Sequence, residues 1–500
     1  MPRTAARSAP VIEALGGEDI GPETEGRPRV AVVGGGFAGA AFAAHLLRAA
    51  EWPVELIMIE PRTELGCGLA YGTEDPSHRI NVPSCKMSVF EEDPGHFTRW
   101  LRVTGERAED PEGESPEGWH FSRRQSFGRY MTATLTDALA KAAPGARVVH
   151  VRARALAVRP AQIDRPAHVY IDTGGAIHTT RVVLAASHER PTLPWHLNQK
   201  TRTHPGLIRD PWTHAHLLGL EPDARVVVLG TGLTMADVVS GLLARGQCGA
   251  IHAMSRRGQL PRPHGAFAPK VDFAADRLPA SARASVRQLR LQIAAEVRAG
   301  RDWQPAVDGA RARAEAIWRD WPIAEQAKAL RHLRPWWDVH RYRLAPQVAE
   351  RLRSARATGG LTVHASRIHE IGCDGGRLAL RFRSRGDRGT RTLHADAVIN
   401  CMGPVSDIIR TPNPAVRSLL DTQAAVPDAH RLGLSVDPDY RLIDADGRAN
   451  PYLRAVGPLT RGVFWEVIGV PELSEHCRRL AHITVQELGL AHTPANAVNA

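Results

Sequence analysis

The 500-residue chain is poor in cysteine, has no long apolar run and carries no acidic excess. Its six cysteines, Cys67, Cys85, Cys248, Cys373, Cys401 and Cys477, are scattered, and no two are spaced C-x-x-C. This excludes a zinc ribbon and a thioredoxin-like dithiol, and scattered thiols suit a reducing compartment. No stretch approaches the roughly eighteen consecutive apolar residues of a membrane-spanning helix. Residues 1–27 lack the apolar core of a secretory signal, so they are read as a disordered leader and the protein is expected in the cytoplasm, away from membranes. A G-x-S-x-G nucleophile elbow is missing as well, and no metal cluster is expected. The net charge of +11 draws anions. Because the arginines are spread along the chain, nucleic acid is not the expected partner; a phosphorylated cofactor or an acidic metabolite is.

What is present is a strand–glycine–helix device, and it occurs twice. "RVAVVGGGFAG" places Gly34, Gly36 and Gly39 in the spacing G-x-G-x-x-G directly after the apolar run Val30–Val33. Gly34 permits the tight turn, Gly36 lets backbone approach a pyrophosphate, and Gly39 lets helix pack close to strand. The helix N-terminus then offers unpaired N–H groups to the phosphates. The next strand, "VELIMIE", ends at Glu60, where a dinucleotide site needs an acid for the adenosine ribose. After it comes a long Gly/Pro/Ser-rich stretch in place of a short connection, the kind of loop that is usually functional. It points to FAD, lined by backbone of Gly66, Gly68, Asn81 and Val82.

The second device, "VVVLGTGLTMAD", has Gly230 and Gly232, with Met235 where a third glycine would stand. Asp237 in the following helix reads as a solvated or capping acid. The next strand ends in Ser255-Arg256-Arg257. At the ribose position an acid selects NAD, whereas arginine accommodates the 2′-phosphate of NADP, and paired guanidinium forks suit a phosphate. The second site is therefore expected to take NADPH, which would reduce a flavin held in the first.

These segments predict an α/β fold with two Rossmann-type dinucleotide-binding domains, for FAD and NADPH, and a helical insertion. The expected division is a first FAD-binding part over 28–195, a first NADPH-binding part over 196–267, helices over 268–340, the NADPH remainder over 341–394 and a C-terminal FAD part over 395–490. The apolar strands in "TTRVVLAASHERPTLP" and "ADAVINCMGP" are expected to carry the chain between the domains. In the insertion, Val286, Leu289, Ile293 and Val297 share one helical face. Near the C-terminus, Gly457-Pro458 forms a small-residue turn suited to a flavin, followed by Arg461, Phe464 and Trp465, with the aromatic pair read as core.

The motifs "VVGGGFAG", "GLAYGTEDPSHRINVPSCKMSVF", "GTGLTMADVV", "SRRGQLPRPHG", "PWWDVHRYRLAPQVAERL", "VINCMGP" and "GPLTRGVFWEVIGVPE" together resemble a family of flavin- and NAD(P)-binding proteins, across residues 29 to about 485. Its nearest characterised activity is that of the flavin-dependent L-aspartate N-hydroxylases, which form nitrosuccinate for natural-product biosynthesis. The resemblance implies FAD, NADPH and O₂ acting on the amine of L-aspartate by way of the hydroxylamine. The chain departs from classical flavin monooxygenases. F-x-G-x-x-x-H is missing between the nucleotide motifs, and Ala186-Ser187 stands where Thr-Gly is expected. The cofactor carries the difficult step, so the protein must position and desolvate. A dicarboxylate needs cationic donors, and the candidates are Arg290, His340, Arg341, Arg343 and Arg461. No catalytic residue is assigned, and His264 reads as structural. Two alternatives stay open: an NADPH-dependent flavin oxidoreductase without productive O₂ chemistry, and a non-enzymatic nucleotide-binding redox sensor.

Overall fold

A computed structural model describes residues 12–15, 27–161, 165–186, 190–212, 219–266, 268–273, 278–404 and 407–492. Most of the proposed leader and Ser187 lie outside these residues. Among the described residues, two seven-stranded sheets dominate.

The first sheet runs, edge to edge, Glu13–Leu15, Arg147–Val151, Glu55–Ile59, Arg29–Val33, Arg181–Leu184, Ala449–Ala455 and Arg441–Ile443. All neighbours are parallel except the last pair. Arg29–Val33 and Glu55–Ile59 are buried at every residue, as a parallel strand covered on both faces must be. The helix Phe37–Ala49 is buried almost all round, because the C-terminal helix Val470–Glu487 and the helix Arg124–Ala140 both pack on it. Part of the leader reading needs correction: Glu13–Leu15 extends the sheet through its pairing with Arg147–Val151.

The second sheet runs Arg391–Ala395, Arg377–Ser384, Leu361–Asp374, Ile251–Ser255, Val226–Leu229, Ala397–Asn400 and Leu207–Ile208. Ala397–Asn400 lies parallel to Val226–Leu229. The boundary expected at 395 therefore falls too early, since this strand completes the second sheet before the chain returns to the first. In each sheet the strand that feeds a glycine turn sits where successive crossovers depart in opposite directions. That switch point opens a crevice at the carboxyl ends of the strands.

Between the sheets' contributions stands a helical insertion containing Ala282–Arg298, Gln304–Ala312, Ala314–Asp320, Ile323–Lys328 and Arg334–Arg341. Ser281 caps the first of these, its hydroxyl accepting from the Ala284 N–H at 3.2 Å. The insertion has an apolar core of its own, built on Phe273, Ile317, Trp318 and Trp321 and joined by Trp465 from the C-terminal segment. No helix among the described residues is long and apolar enough to cross a membrane.

Candidate dinucleotide and substrate sites

The first glycine turn is built as its spacing predicts. Gly34 has φ +109°, and a Cβ there would lie 2.6 Å from the Ala185 carbonyl oxygen. A Cβ on Gly39 would come within 2.0 Å of the Gly34 carbonyl oxygen, so only glycine lets the helix seat on the strand. Gly36 begins the helix without a side-chain cap, which leaves the first-turn N–H groups for an anion. Gly68 faces it, with a Gly36 Cβ falling 3.3 Å from the Gly68 Cα. Any side chain at either position would close this cradle, so the residues fit a pyrophosphate. Gly66, at φ +96°, donates its N–H to the Gly35 carbonyl at 2.7 Å and holds the loop against the turn.

Glu60 is buried at the end of its strand. It accepts from the Gly35 N–H at 3.0 Å and from the Arg62 guanidinium at 3.0 Å. The acid thus faces the glycine turn, as a ribose ligand must. Asn81 turns its carbonyl to His264, which donates through Nε2 at 2.9 Å. Burial, reinforced by Arg343, holds the His264 pKa down to about 4. The ring is therefore neutral at pH 7, and an acceptor opposite Nε2 requires the proton there. Val82 packs on the core. Gly457 takes φ +80° in contact distance of Ala38, whose helix starts at the cradle, and Pro458 follows it.

At the second turn Gly230 has φ +106°, and a Cβ would approach the Cys401 carbonyl oxygen to 2.3 Å. Gly232 begins its helix uncapped by any side chain, and a Cβ there would meet open space. Met235 is fully buried, so it replaces the third glycine with apolar packing. The Ser255 hydroxyl is engaged by Thr231 at 2.9 Å and by the Gly258 N–H at 3.0 Å, which shapes the loop that carries the arginines. Arg256 is exposed. Arg257 lies over the Trp336 ring, 5.7 Å from its centroid, and so reaches towards the insertion. Beside this loop is a cavity of about 630 Å³ lined in part by Gly258, Gln259, Arg262, His264 and Arg356. Sequence reasoning missed Arg262 and Arg356. Arg262 lies only seven residues past Ser255 inside "SRRGQLPRPHG", but nothing in a linear motif shows which cation turns towards a cleft.

Asp237 is neither solvated nor a cap. It is buried and paired with Arg124 at 2.9 Å. The pair joins a helix of the first unit to the helix that follows the second glycine turn. A second pair, Arg245 with Asp75 at 2.7 Å, crosses the same boundary.

The five cationic candidates separate. Arg341 is buried against Glu466 at 3.1 Å and Glu472 at 3.6 Å. Arg343 is buried against Asp308 at 2.7 Å and lies 5.1 Å over Trp303. Their charges are therefore already compensated inside the protein. Arg290 and His340 share the wall of an apolar cavity in the insertion. Arg461 lies over the Trp465 ring at 4.9 Å, and its Nε is buried without a hydrogen-bond partner. Burial, and then Arg461, lowers the Arg334 pKa, while burial raises that of Asp338 and Glu466 adds to it. Arg461 thus stands in one partly buried group with Arg334 and the carboxyls of Asp338 and Glu466. The Phe464–Trp465 pair is core as expected, and Trp465 stacks on Trp318 at 4.5 Å. Among the described residues no His, Cys, Asp and Glu group is arranged to hold a metal ion.

Residues 31–189 match a family described as FAD-NAD(P)-binding. Among solved structures, the ornithine N-hydroxylase of Kutzneria sp. 744, with reduced FAD, NADP⁺ and L-ornithine, superposes with a TM-score of 0.63 at 16% identity, over 93% of this chain and 99% of that one. The L-lysine 6-monooxygenase of Pseudomonas syringae gives 0.60 at 16% identity, over 92% and 99%. A FAD-bound cadaverine monooxygenase of desferrioxamine biosynthesis from Erwinia amylovora gives 0.59 at 12% identity, over 94% and 98%. A comparison with curated proteins finds no match. At these identities the likeness is one of fold, and it confirms two Rossmann-type units in one α/β chain.

Proposed function

We propose that the protein is a FAD- and NADPH-dependent N-hydroxylating monooxygenase that oxidises the amine of L-aspartate, through the hydroxylamine, to nitrosuccinate. The observation that carries the reading is the pair of glycine turns, each at the switch point of its own sheet, with Glu60 beside one and Arg256 and Arg257 beside the other. The fold shared with enzymes whose names specify ornithine, lysine and cadaverine supports oxidation of a primary amine.

Bound FAD supplies the redox chemistry, with NADPH as reductant and O₂ as oxidant. The chain's own residues bind and orient. Gly36 and Gly68 would hold the FAD pyrophosphate, and Glu60 would accept from the ribose hydroxyls. Gly232 would open the NADPH pyrophosphate site, and Arg256 would meet the 2′-phosphate. The buried pair of Arg124 and Asp237 keeps the two sites in one register. Arg461 is the candidate for a substrate carboxylate, because it is half-buried and its Nε is buried with no hydrogen-bond partner among the described residues.

The test is NADPH oxidation and O₂ uptake by purified protein, with and without L-aspartate, alongside assays for hydroxylamine, nitro product and peroxide. Aspartate-dependent nitrogen oxidation is expected. NADPH consumed to peroxide alone, whether or not aspartate is present, would sink aspartate as substrate and favour an oxidoreductase.

A further inference from the structure

The insertion encloses a cavity of about 700 Å³, within the ~300–1,000 Å³ of small-molecule sites. Five of the chain's eleven tryptophans line it: Trp318, Trp321, Trp336, Trp337 and Trp465. Phe273, Trp318 and Trp465 are deeply buried and form its inner end, whereas Trp336 and Arg290 are exposed and mark its mouth. Val286, Leu289 and Ile293, the helical face legible in the sequence, form part of the wall. An ordinary helical subdomain would close such a face on itself, because an apolar void forfeits contacts on every side.

The fixed charges on the wall are both cationic, Arg290 and Arg334. The polar groups as a set are Ser285, Arg290, His332, Arg334 and His340, and no carboxylate lines the cavity. Two carboxylates stand just outside the lining: Asp338 meets Arg334 Nε at 3.4 Å, and Glu466 accepts from the Trp337 indole N–H at 3.2 Å. The Ser285 hydroxyl oxygen is buried with no partner among the described residues. Burial and the neighbouring Arg461 both work against the Arg334 charge, so an anion there would relieve a cost already present.

From this we infer that the cavity is a binding site for an amphipathic anion, a molecule with a carboxylate head and an acyl or aryl body. The tryptophans take the body and Arg290 takes the head, with Arg334, already facing Asp338, on the same wall. L-Aspartate has no apolar body to fill such walls, so the cavity is assigned a second ligand, although it adjoins Arg461, which lies over the Trp465 wall at 4.9 Å. The inference stands whether or not aspartate is the substrate.

The experiment is a calorimetric titration of the full-length protein with decanoate, followed in parallel by tryptophan fluorescence, with decylamine as the cationic control. Saturable decanoate binding near one equivalent with a tryptophan signal change is expected, together with at least about tenfold weaker decylamine binding. Arg290→Ala should weaken decanoate about tenfold, and Leu289→Trp, which fills the cavity, should abolish binding while the thermal transition stays cooperative. Equal affinity for the two probes would overturn the anionic class. Decanoate binding that survives Leu289→Trp, or no saturable binding at all, would overturn the site. None of these readouts depends on NADPH oxidation, so failure here and failure of the proposed reaction are distinguishable.

Discussion

Arg256 and Arg257 are neighbours in sequence yet have different surroundings. Arg257 lies on Trp336, while Arg256 is exposed at the end of its strand. If Arg256 reads the 2′-phosphate, Arg256→Ala removes charge-assisted hydrogen bonds worth about 1.5–3 kcal/mol. The kcat/KM for NADPH should then fall by roughly tenfold or more, with that for NADH nearly unchanged. A preserved NADPH preference would move phosphate recognition to another cation, such as Arg262. The same residue-level reasoning separates Arg341 and Arg343 from Arg461: the first two already face carboxylates, and a compensated charge has little left to offer a substrate.

At the scale of elements, the helices Arg124–Ala140 and Leu233–Ala244 are joined by a buried ion pair. Removing one partner strands the other charge in low dielectric, which costs about 3–5 kcal/mol. Arg124→Ala should therefore lower the urea midpoint sharply. The double variant Arg124→Met/Asp237→Leu should recover much of that loss, because two apolar groups leave no orphaned charge. If the double variant is as unstable as the sum of the singles, the pair is not a coupled unit. Pairing across the chain is the kind of fact a linear reading misjudges. Asp237 by itself reads as a solvated or capping acid, and its partner is 113 residues away.

At the scale of the molecule, pH dependence follows from two buried histidines. Burial lowers the pKa of His45 to about 4, and burial with Arg343 does the same to His264. Both stand below the ordinary 6.5. Between those values the unfolded chain binds more protons than the folded one, so stability is fully present above pH 6.5 and falls as the pH drops towards 4. Each histidine contributes up to about 3 kcal/mol across that window. Urea unfolding at pH 7.5, 6 and 5 should show the decline, and His45→Gln should make it shallower, leaving the His264 share. An unchanged slope in that variant would mean His45 is not the group being titrated.

Much of the architecture was written in local sequence. A glycine at φ +109° followed by two more at fixed spacing is a backbone requirement, and a backbone requirement can be read wherever it occurs. The same holds for the acid after the second strand and for the period of the insertion helix. Tertiary structure alone decided the rest. It moved Ala397–Asn400 into the second sheet, because strand pairing is a long-range contact that local propensity does not encode. It consumed Arg341 and Arg343 in ion pairs, since burial makes a partner obligatory. It also gathered five tryptophans, spread over nearly 150 residues of sequence, around one cavity. Sequence specifies which groups the backbone can bring forward, and only packing determines which of them remain uncovered to meet a ligand.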